Sequence, residues 1–471
     1  MDKTGELGHT GKTMRPLIIT ILALGLAACD FIGSPVPPVQ KSRELVVITR
    51  NSPTTYYEDA QGNFAGLEYD LVTLFAKDLG VNVKFVVAQK FNQILPSLAK
   101  GRAHLAAAGL TITTSRAKNF RFGPAYQTVQ QQVIYNTLSA KPRSLKDLVG
   151  RKIQLVTGSS YAERLAAEKV KLPTLDWQET TVLESEDILE RLANGDIDNT
   201  VADSSLVSIM QNFFPNLGVA YNLGQPEQLG WAFPKDGDDY VYKKAQEFFA
   251  RIQKDGTLKR LLDRYYGHVE RLKHADTAGF LDKINTTLPT YRKLFQKAQD
   301  ITGIDWRLLA ALGYQESHWD PMATSPTGVR GLMMLTADTA DSLGVDDRLN
   351  PTENIPAGAR YLQSLRDVIP NHVPEPDRTW MALAAYNTGQ AHLEDARVLA
   401  QRQKLNPDSW TDLKKTLPLL SKTLFHTTVK HGYARGGEAV IFVENIRTYY
   451  DIITRFEPSY KSPFPTFLSA K

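Results

Sequence analysis

"GLEYDLVTLFAKDLGVNVKFVVA", residues 66–88, carries two periodicities in succession. Leu67, Leu71, Leu74, Phe75 and Leu79 recur at helical spacing and form one apolar face, which Gly80 brings to a stop. The β-branched run "VNVKFVVA" (81–88) follows at once and reads as a strand. Upstream, "ELVVIT" (44–49) is a second such run, so this segment predicts strand, helix, strand. Parallel strands cannot be joined by a tight turn, and a helical crossover supplies the connection they need.

The alternation continues outward through "KIQLVTG" (152–158), the helical "SEDILERLANG" (185–195) and "NTVADS" (199–204). It closes with "DGTLKRLLDRYYG" (255–267), a short amphipathic helix ending at a glycine. This half predicts α/β layers with parallel strands. After about residue 270 the strand runs vanish. "LLAALGYQE" (308–316), "IPAGARYLQSLRDV" (355–368), "RTWMALAAYN" (378–387) and "AVIFVENIRTYYDIITRF" (439–456) all carry helical spacing. Loops such as "SPTGVRG" (325–331) and "VPEPD" (373–377) separate them, so the second half reads as all-α.

At 471 residues the chain has room for two or three domains. Its net charge of +4, from 55 basic and 51 acidic residues, is too balanced for a nucleic-acid partner. Lys12 and Arg15 precede "PLIITILALGLAAC" (16–29), a basic flank, an apolar core and small residues before a cysteine. That is the order of a secretory signal, with Met14 offering a second start in front of it. Cys29 is the only cysteine, which excludes an internal disulfide. "LAAC" resembles the bacterial lipobox, which implies cleavage and acylation of Cys29 and a lipid anchor in a membrane. The expected order is signal peptide 1–29, Pro-rich tether 30–43, α/β body 44–269 and helical body 270–471.

The first body resembles the periplasmic solute-binding proteins of the amino-acid-binding type. The resemblance rests on "TRNSPTTYY" (49–57), "GLEYDLVTLFAKDLGV" (66–81), "AGLTITTSR" (108–116) and "GDIDNTVADSS" (195–205). It implies two α/β lobes, the second near 138–221, closing on a small ligand. Thr111 or Thr113 with Arg116 would then grip an α-carboxylate, and Asp203 an α-ammonium. A guanidinium suits a carboxylate because it donates two parallel hydrogen bonds. Ser159, in "TGSSYAERL" (157–165), sits at a predicted helix start whose free N–H groups favour an anion. The ligand expected is an amino acid or a wall peptide, and the domain's expected role is regulatory.

The helical body contains "GYQESHWDPMATSPTGVRGLMMLTADTADSLG" (313–344), "DRLNPTENIPAGARYL" (347–362), "LAAYNTGQAH" (383–392) and "GEAVIFVENIRTYYDI" (437–452). These resemble, in order, the motifs of lytic murein transglycosylases with an all-α, goose-lysozyme-like fold. A solute-binding module in front of that domain narrows the resemblance to the membrane-bound F-type branch.

Glu316 ends an apolar helical run, where partial burial without a cation would leave its carboxyl protonated and able to donate. Glycosidases ordinarily use two carboxylates. Asp320 is cut off by Pro321, Asp338 and Asp341 read as surface positions, and Glu353 reads as a helix entry. The resemblance implies that no second carboxylate is required. Glu316 would protonate the oxygen between N-acetylmuramic acid and N-acetylglucosamine, then take the proton of the muramic acid's own C6 hydroxyl. The product is a 1,6-anhydro sugar and no water is consumed; an internal nucleophile has a high effective concentration.

The same resemblance implies sugar-binding roles for Ser325, Met334, Tyr386, Asn387 and Tyr449. Many relatives carry glutamine at the position of Met334, so one polar contact is missing, and Tyr450 leaves the register of Tyr449 open. No metal spacing occurs among the histidines and no cofactor is implied. The expected partners are peptidoglycan glycan strands, a small clamp ligand and a membrane. The family favours the outer membrane, while Asp30 after the cysteine is a feature of inner-membrane retention. Two other readings fit the motifs, a muramidase hydrolysing the same bond and a non-enzymatic solute receptor.

Overall fold

The computed structural model describes residues 35–59, 63–237, 239–269 and 274–462; the signal segment and Cys29 lie outside them. The opening unit forms as its periodicities dictate. Strand β1 (Glu44–Thr49), helix α1 (Leu67–Leu79) and strand β2 (Asn82–Val87) make a parallel crossover, with Gly80 capping α1 at φ 64°. Leu67, Leu71 and Phe75 are fully buried beneath the sheet. Strand β3 (Leu105–Ala106) joins β1 in parallel, and β4 (Phe120–Phe122) forms the far edge.

The chain then crosses to a second lobe through residues Gln127–Val129 and returns through Glu227–Leu229, which pair antiparallel. The second lobe is built on β5 (Gln131–Asn136), helix α2 (Ser160–Lys169), β6 (Asn199–Asp203) and β7 (Leu217–Asn222). It therefore begins earlier than the expected boundary near 138. Its central sheet, in the order β6-β5-β7, is antiparallel throughout, contrary to the expectation of parallel strands. The returning strand β8 (Ala232–Pro234) likewise enters the first sheet antiparallel between β3 and β4. The strands that leave the first lobe and return to it lie side by side in opposite directions, and local periodicity does not record that reversal.

Helices α3 (Asp239–Lys254) and α4 (Thr257–Tyr266) finish this body against α1. Part of the expected tether is docked on it. Val36 N–H donates to Gly101 O at 2.8 Å, and Val39 is buried in the same core as Leu45 and Phe75. A β-branched side chain with apolar surface to bury outweighs the extending tendency of the surrounding prolines.

The second body is helical: α5 (Leu288–Thr302), α6 (Trp306–Ser317), α7 (Pro351–Val368), α8 (Asp377–Thr388), α9 (Gln390–Arg402) and α10 (Gly436–Phe456). Helix α6 runs through its centre, buried from Trp306 to Tyr314, between α5 and α10. Asp305 starts it by accepting the N–H of Arg307 at 2.9 Å. His318 and Trp319, at φ 52° and 60°, stop it, and the Trp319 indole turns back to donate to Ala310 O at 2.8 Å. That stop leaves Glu316 in the last turn of a buried helix.

The two bodies are joined by charge. Arg447 on α10 donates to the Asp263 backbone carbonyl at 2.7 Å and to Glu444 at 3.0 Å, and Lys414 pairs with Asp263. Thr448 donates to His268 O, and His268 meets Asp451 at 2.5 Å.

Candidate active site

Glu316 is half-buried at the C-terminal turn of α6. Burial pushes its carboxyl up to about 8, and among the described residues no ion pair reaches it. A group held this way is a proton donor at neutral pH. The other carboxylates weighed from sequence are engaged elsewhere. Asp320 accepts the N–H of Met322 in a turn, Glu353 accepts those of Asp346 and Asp347, and Asp338 and Asp341 are exposed.

The loop 330–335 lies against α6. A Cβ at Gly313, three residues before the acid, would lie 2.8 Å from Leu332 Cδ2, so glycine lets this loop pack closely on the helix. Three side chains tie this loop down by its backbone. Ser317 donates to Leu332 O at 2.8 Å, Tyr386 donates to Met333 O at 2.8 Å, and Asn354 accepts from Met333 N at 2.6 Å. Asn354 also donates to Arg348 O at 2.9 Å. Met334 follows at φ 48°, partly exposed, in a conformation L residues rarely adopt.

Tyr386 sits within electrostatic range of Glu316, and burial first, then that carboxylate, pushes its phenol well above the usual range. Its ring lies 5.1 Å from that of Tyr361. Asn387, next on α8, is exposed. Tyr449 is buried with its ring 4.9 Å from Tyr314 and 4.4 Å from Phe280. Tyr450 instead donates to Asp305 at 3.0 Å, at the opposite end of α6, so Tyr449 is the one near the acid's turn. Ser325 keeps to its own loop, bonded to Thr327 Oγ1 at 2.9 Å and accepting Val329 N–H at 3.3 Å. Ser317 is the serine of the glutamate–serine pair in "GYQES", whereas Asn354 and Tyr361 were not singled out from sequence. For Asn354 a signal existed: an amide at helical spacing on an otherwise apolar stripe with Ala357, Gly358 and Leu362.

The clamp residues converge between the two lobes of the first body. Arg116 is buried, donating from Nε to Glu163 at 3.0 Å, from Nη1 to Thr111 O at 3.2 Å and from Nη2 to Gly158 O at 3.0 Å. Thr113 caps a short helix and donates to Glu163 at 2.9 Å, while Thr111 Oγ1 meets Ser160 Oγ at 3.1 Å. Ser159 caps α2 by accepting Ala162 N–H. Asp203 faces the Tyr161 hydroxyl, and burial raises its carboxyl to about 6; its Oδ1 has no hydrogen-bond partner among the described residues. Sequence reasoning missed Arg50, which faces Glu184 at 3.5 Å across the cleft, although it stands in the quoted "TRNSPTTYY".

Residues 45–268 match the bacterial extracellular solute-binding proteins, family 3, and residues 293–408 match the transglycosylase SLT domain. A membrane-bound lytic murein transglycosylase F of Methylobacillus flagellatus is 52% identical, across 96% of this chain and 97% of its own length. One from Nitrosospira multiformis is 50% identical, across 96% and 95%. Among solved structures, an ancestral arginine-binding protein bound to arginine is similar, at 25% identity and TM-score 0.43, covering 47% of this chain and 98% of its own.

Proposed function

This chain belongs to the membrane-bound lytic murein transglycosylase F family, and on that premise we propose that Glu316 is its single acid and base. The protein is a lyase acting on peptidoglycan, with a periplasmic-binding-protein-like domain ahead of an SLT domain. The observation that carries the assignment is the place of Glu316, half-buried in the last turn of the buried α6 with no ion pair reaching it among the described residues, where burial pushes its carboxyl up to about 8. Protonated, it donates to the glycosidic oxygen between N-acetylmuramic acid and N-acetylglucosamine as the C–O bond breaks. Ionised by that transfer, it accepts the proton of the muramic acid's C6 hydroxyl, whose oxygen closes the 1,6-anhydro ring. One proton leaves Glu316 and one returns, so neither a second carboxylate nor water is needed. Tyr386, Asn387, Met334, Ser325 and Tyr449 are our candidates for holding the sugars. Mass spectrometry of digested sacculi tests this reading, since anhydro ends are one water lighter than reducing ends. Reducing ends would make the enzyme a muramidase instead.

For the first domain we propose a carboxylate-bearing amino acid or wall peptide as ligand, held by Thr111, Thr113, Arg116, Ser159 and Asp203. The protein is a cell-envelope protein, and among the described residues no helix is long and apolar enough to cross a membrane. Acylation of Cys29 is our reading of its attachment, with the body facing the periplasm from the outer membrane. Loss of membrane association in Cys29→Ser is the check, and unchanged fractionation would refute it.

A further inference from the structure

The donors that the clamp would turn toward a ligand's carboxylate already hold one. One oxygen of Glu163 accepts from Arg116 Nε at 3.0 Å, and the other accepts from Thr113 Oγ1 at 2.9 Å. Glu163 stands in the first turn of α2, on the second lobe, whereas Thr113 and Arg116 belong to the first. The contact therefore spans the cleft. Around it the lobes are bonded shut by further pairs, Thr111 with Ser160, Arg50 with Glu184, and Phe91 N–H with Glu184 at 3.2 Å. The cavity left between Arg50, Thr111, Ser160 and Asp203 is about 20 Å³, room for about one water and not for an amino acid.

We infer that Glu163 is a built-in carboxylate ligand, which fills the carboxylate corner of the clamp, latches the lobes and must be displaced before a carboxylate-bearing guest can enter. The inference rests on the reading of this cleft as a carboxylate site. A tethered carboxylate competes at a high effective concentration, so a free amino acid offering only the same group gains little by replacing it. A guest succeeds only if it supplies contacts Glu163 cannot make, such as those to Oδ1 of Asp203, which has no partner among the described residues. Glu163 thus sets selectivity against single amino acids and in favour of larger carboxylate ligands. Its side chain is about one-third exposed (33%), so it can swing out without unfolding α2.

The test is chemical rescue in the full-length protein in detergent. Thermal melting of the parent and of Glu163→Ala is followed with propionate, and with propionamide at matched ionic strength. Propionate is expected to raise the variant's melting temperature by at least about 3 °C over propionamide, and to leave the parent unmoved. Adding Arg116→Met to the variant is expected to abolish the rescue. Equal responses in parent and variant would overturn the latch while leaving the carboxylate site intact. No response in either would remove the carboxylate reading of the Arg116 corner and the latch with it. Should Glu163→Ala fail to fold, Glu163→Gln keeps the side chain's length and loses its charge; it is read the same way, with a smaller expected shift.

Discussion

Ser317 Oγ lies 2.8 Å from the carbonyl oxygen of Leu332, so the residue beside the acid fastens the loop that lies against the acid's helix. The acid and the loop carrying Met333 and Met334 are thereby held in one register, with Tyr386 and Asn354 gripping the next residue. Precision in such a site comes from supporting bonds as much as from the reacting group. Ser317→Ala is expected to cost about 1 kcal/mol in the unfolding of the helical body and about tenfold in kcat on isolated glycan strands. Calorimetry and a turnover assay check both numbers. An unchanged kcat would make the tie purely structural.

Asn354 is fully buried and makes bonds to Met333 N, Arg330 O and Arg348 O. Replacing it by Leu leaves Met333 N–H and Arg348 O without that partner, while Arg330 O keeps the N–H of Leu335 at 3.0 Å. The expected loss is about 2–4 kcal/mol, larger than for Ser317→Ala because Asn354 and Met333 are fully buried and two backbone groups lose their partner. Denaturant unfolding measures it.

Glu316→Gln removes the proton that the first step donates and the base that the second requires. Release of anhydro-ended fragments from sacculi is expected to fall by at least about 10³-fold, with glycan binding retained. Cleavage at the parent's rate by this variant would dismiss Glu316 as the acid.

The same carboxyl makes a stability prediction. Its folded value of about 8 lies above the ordinary 4.5, so the folded state holds the proton more tightly and loses stability as pH rises between these values. Glutamine escapes that penalty. Glu316→Gln is expected to be more stable than the parent at pH 8 by roughly 2–4 kcal/mol, with the difference vanishing below about pH 4.5. For activity the limb runs the same way, with kcat falling as pH passes about 8 and the acid loses its proton. Melting curves across pH, beside a pH–rate profile, test the two limbs separately.

Arg447 is almost wholly buried and joins α10 to the end of the first body through Asp263 and the buried Glu444. Arg447→Met leaves the buried Glu444 with the Trp410 indole N–H at 2.7 Å and a single, more distant cation, Lys414 at 3.6 Å. The expected cost is about 3–5 kcal/mol, with the two bodies melting as separate transitions in calorimetry. A single unchanged transition would show that this seam does not couple them.

The amino-acid sequence by itself determined the elements and their order. Helical and strand spacing are local properties, so α1, β1, β2 and the apolar run of α6 were legible residue by residue. So was the place of Glu316, where an apolar stripe meets a turn ending in proline. Tertiary structure decided what spacing cannot carry. Antiparallel pairing of β8 and of the second lobe's sheet follows from the chain's return path. Burial, which sets the Glu316 proton, depends on α5 and α10 closing around α6. The partner of Arg116 lies 47 residues away on another lobe, and nothing local distinguishes a Glu163 that faces solvent from one that takes a ligand's place. Charge and hydrogen bonding act through space, and only the fold brings that carboxylate to the guanidinium.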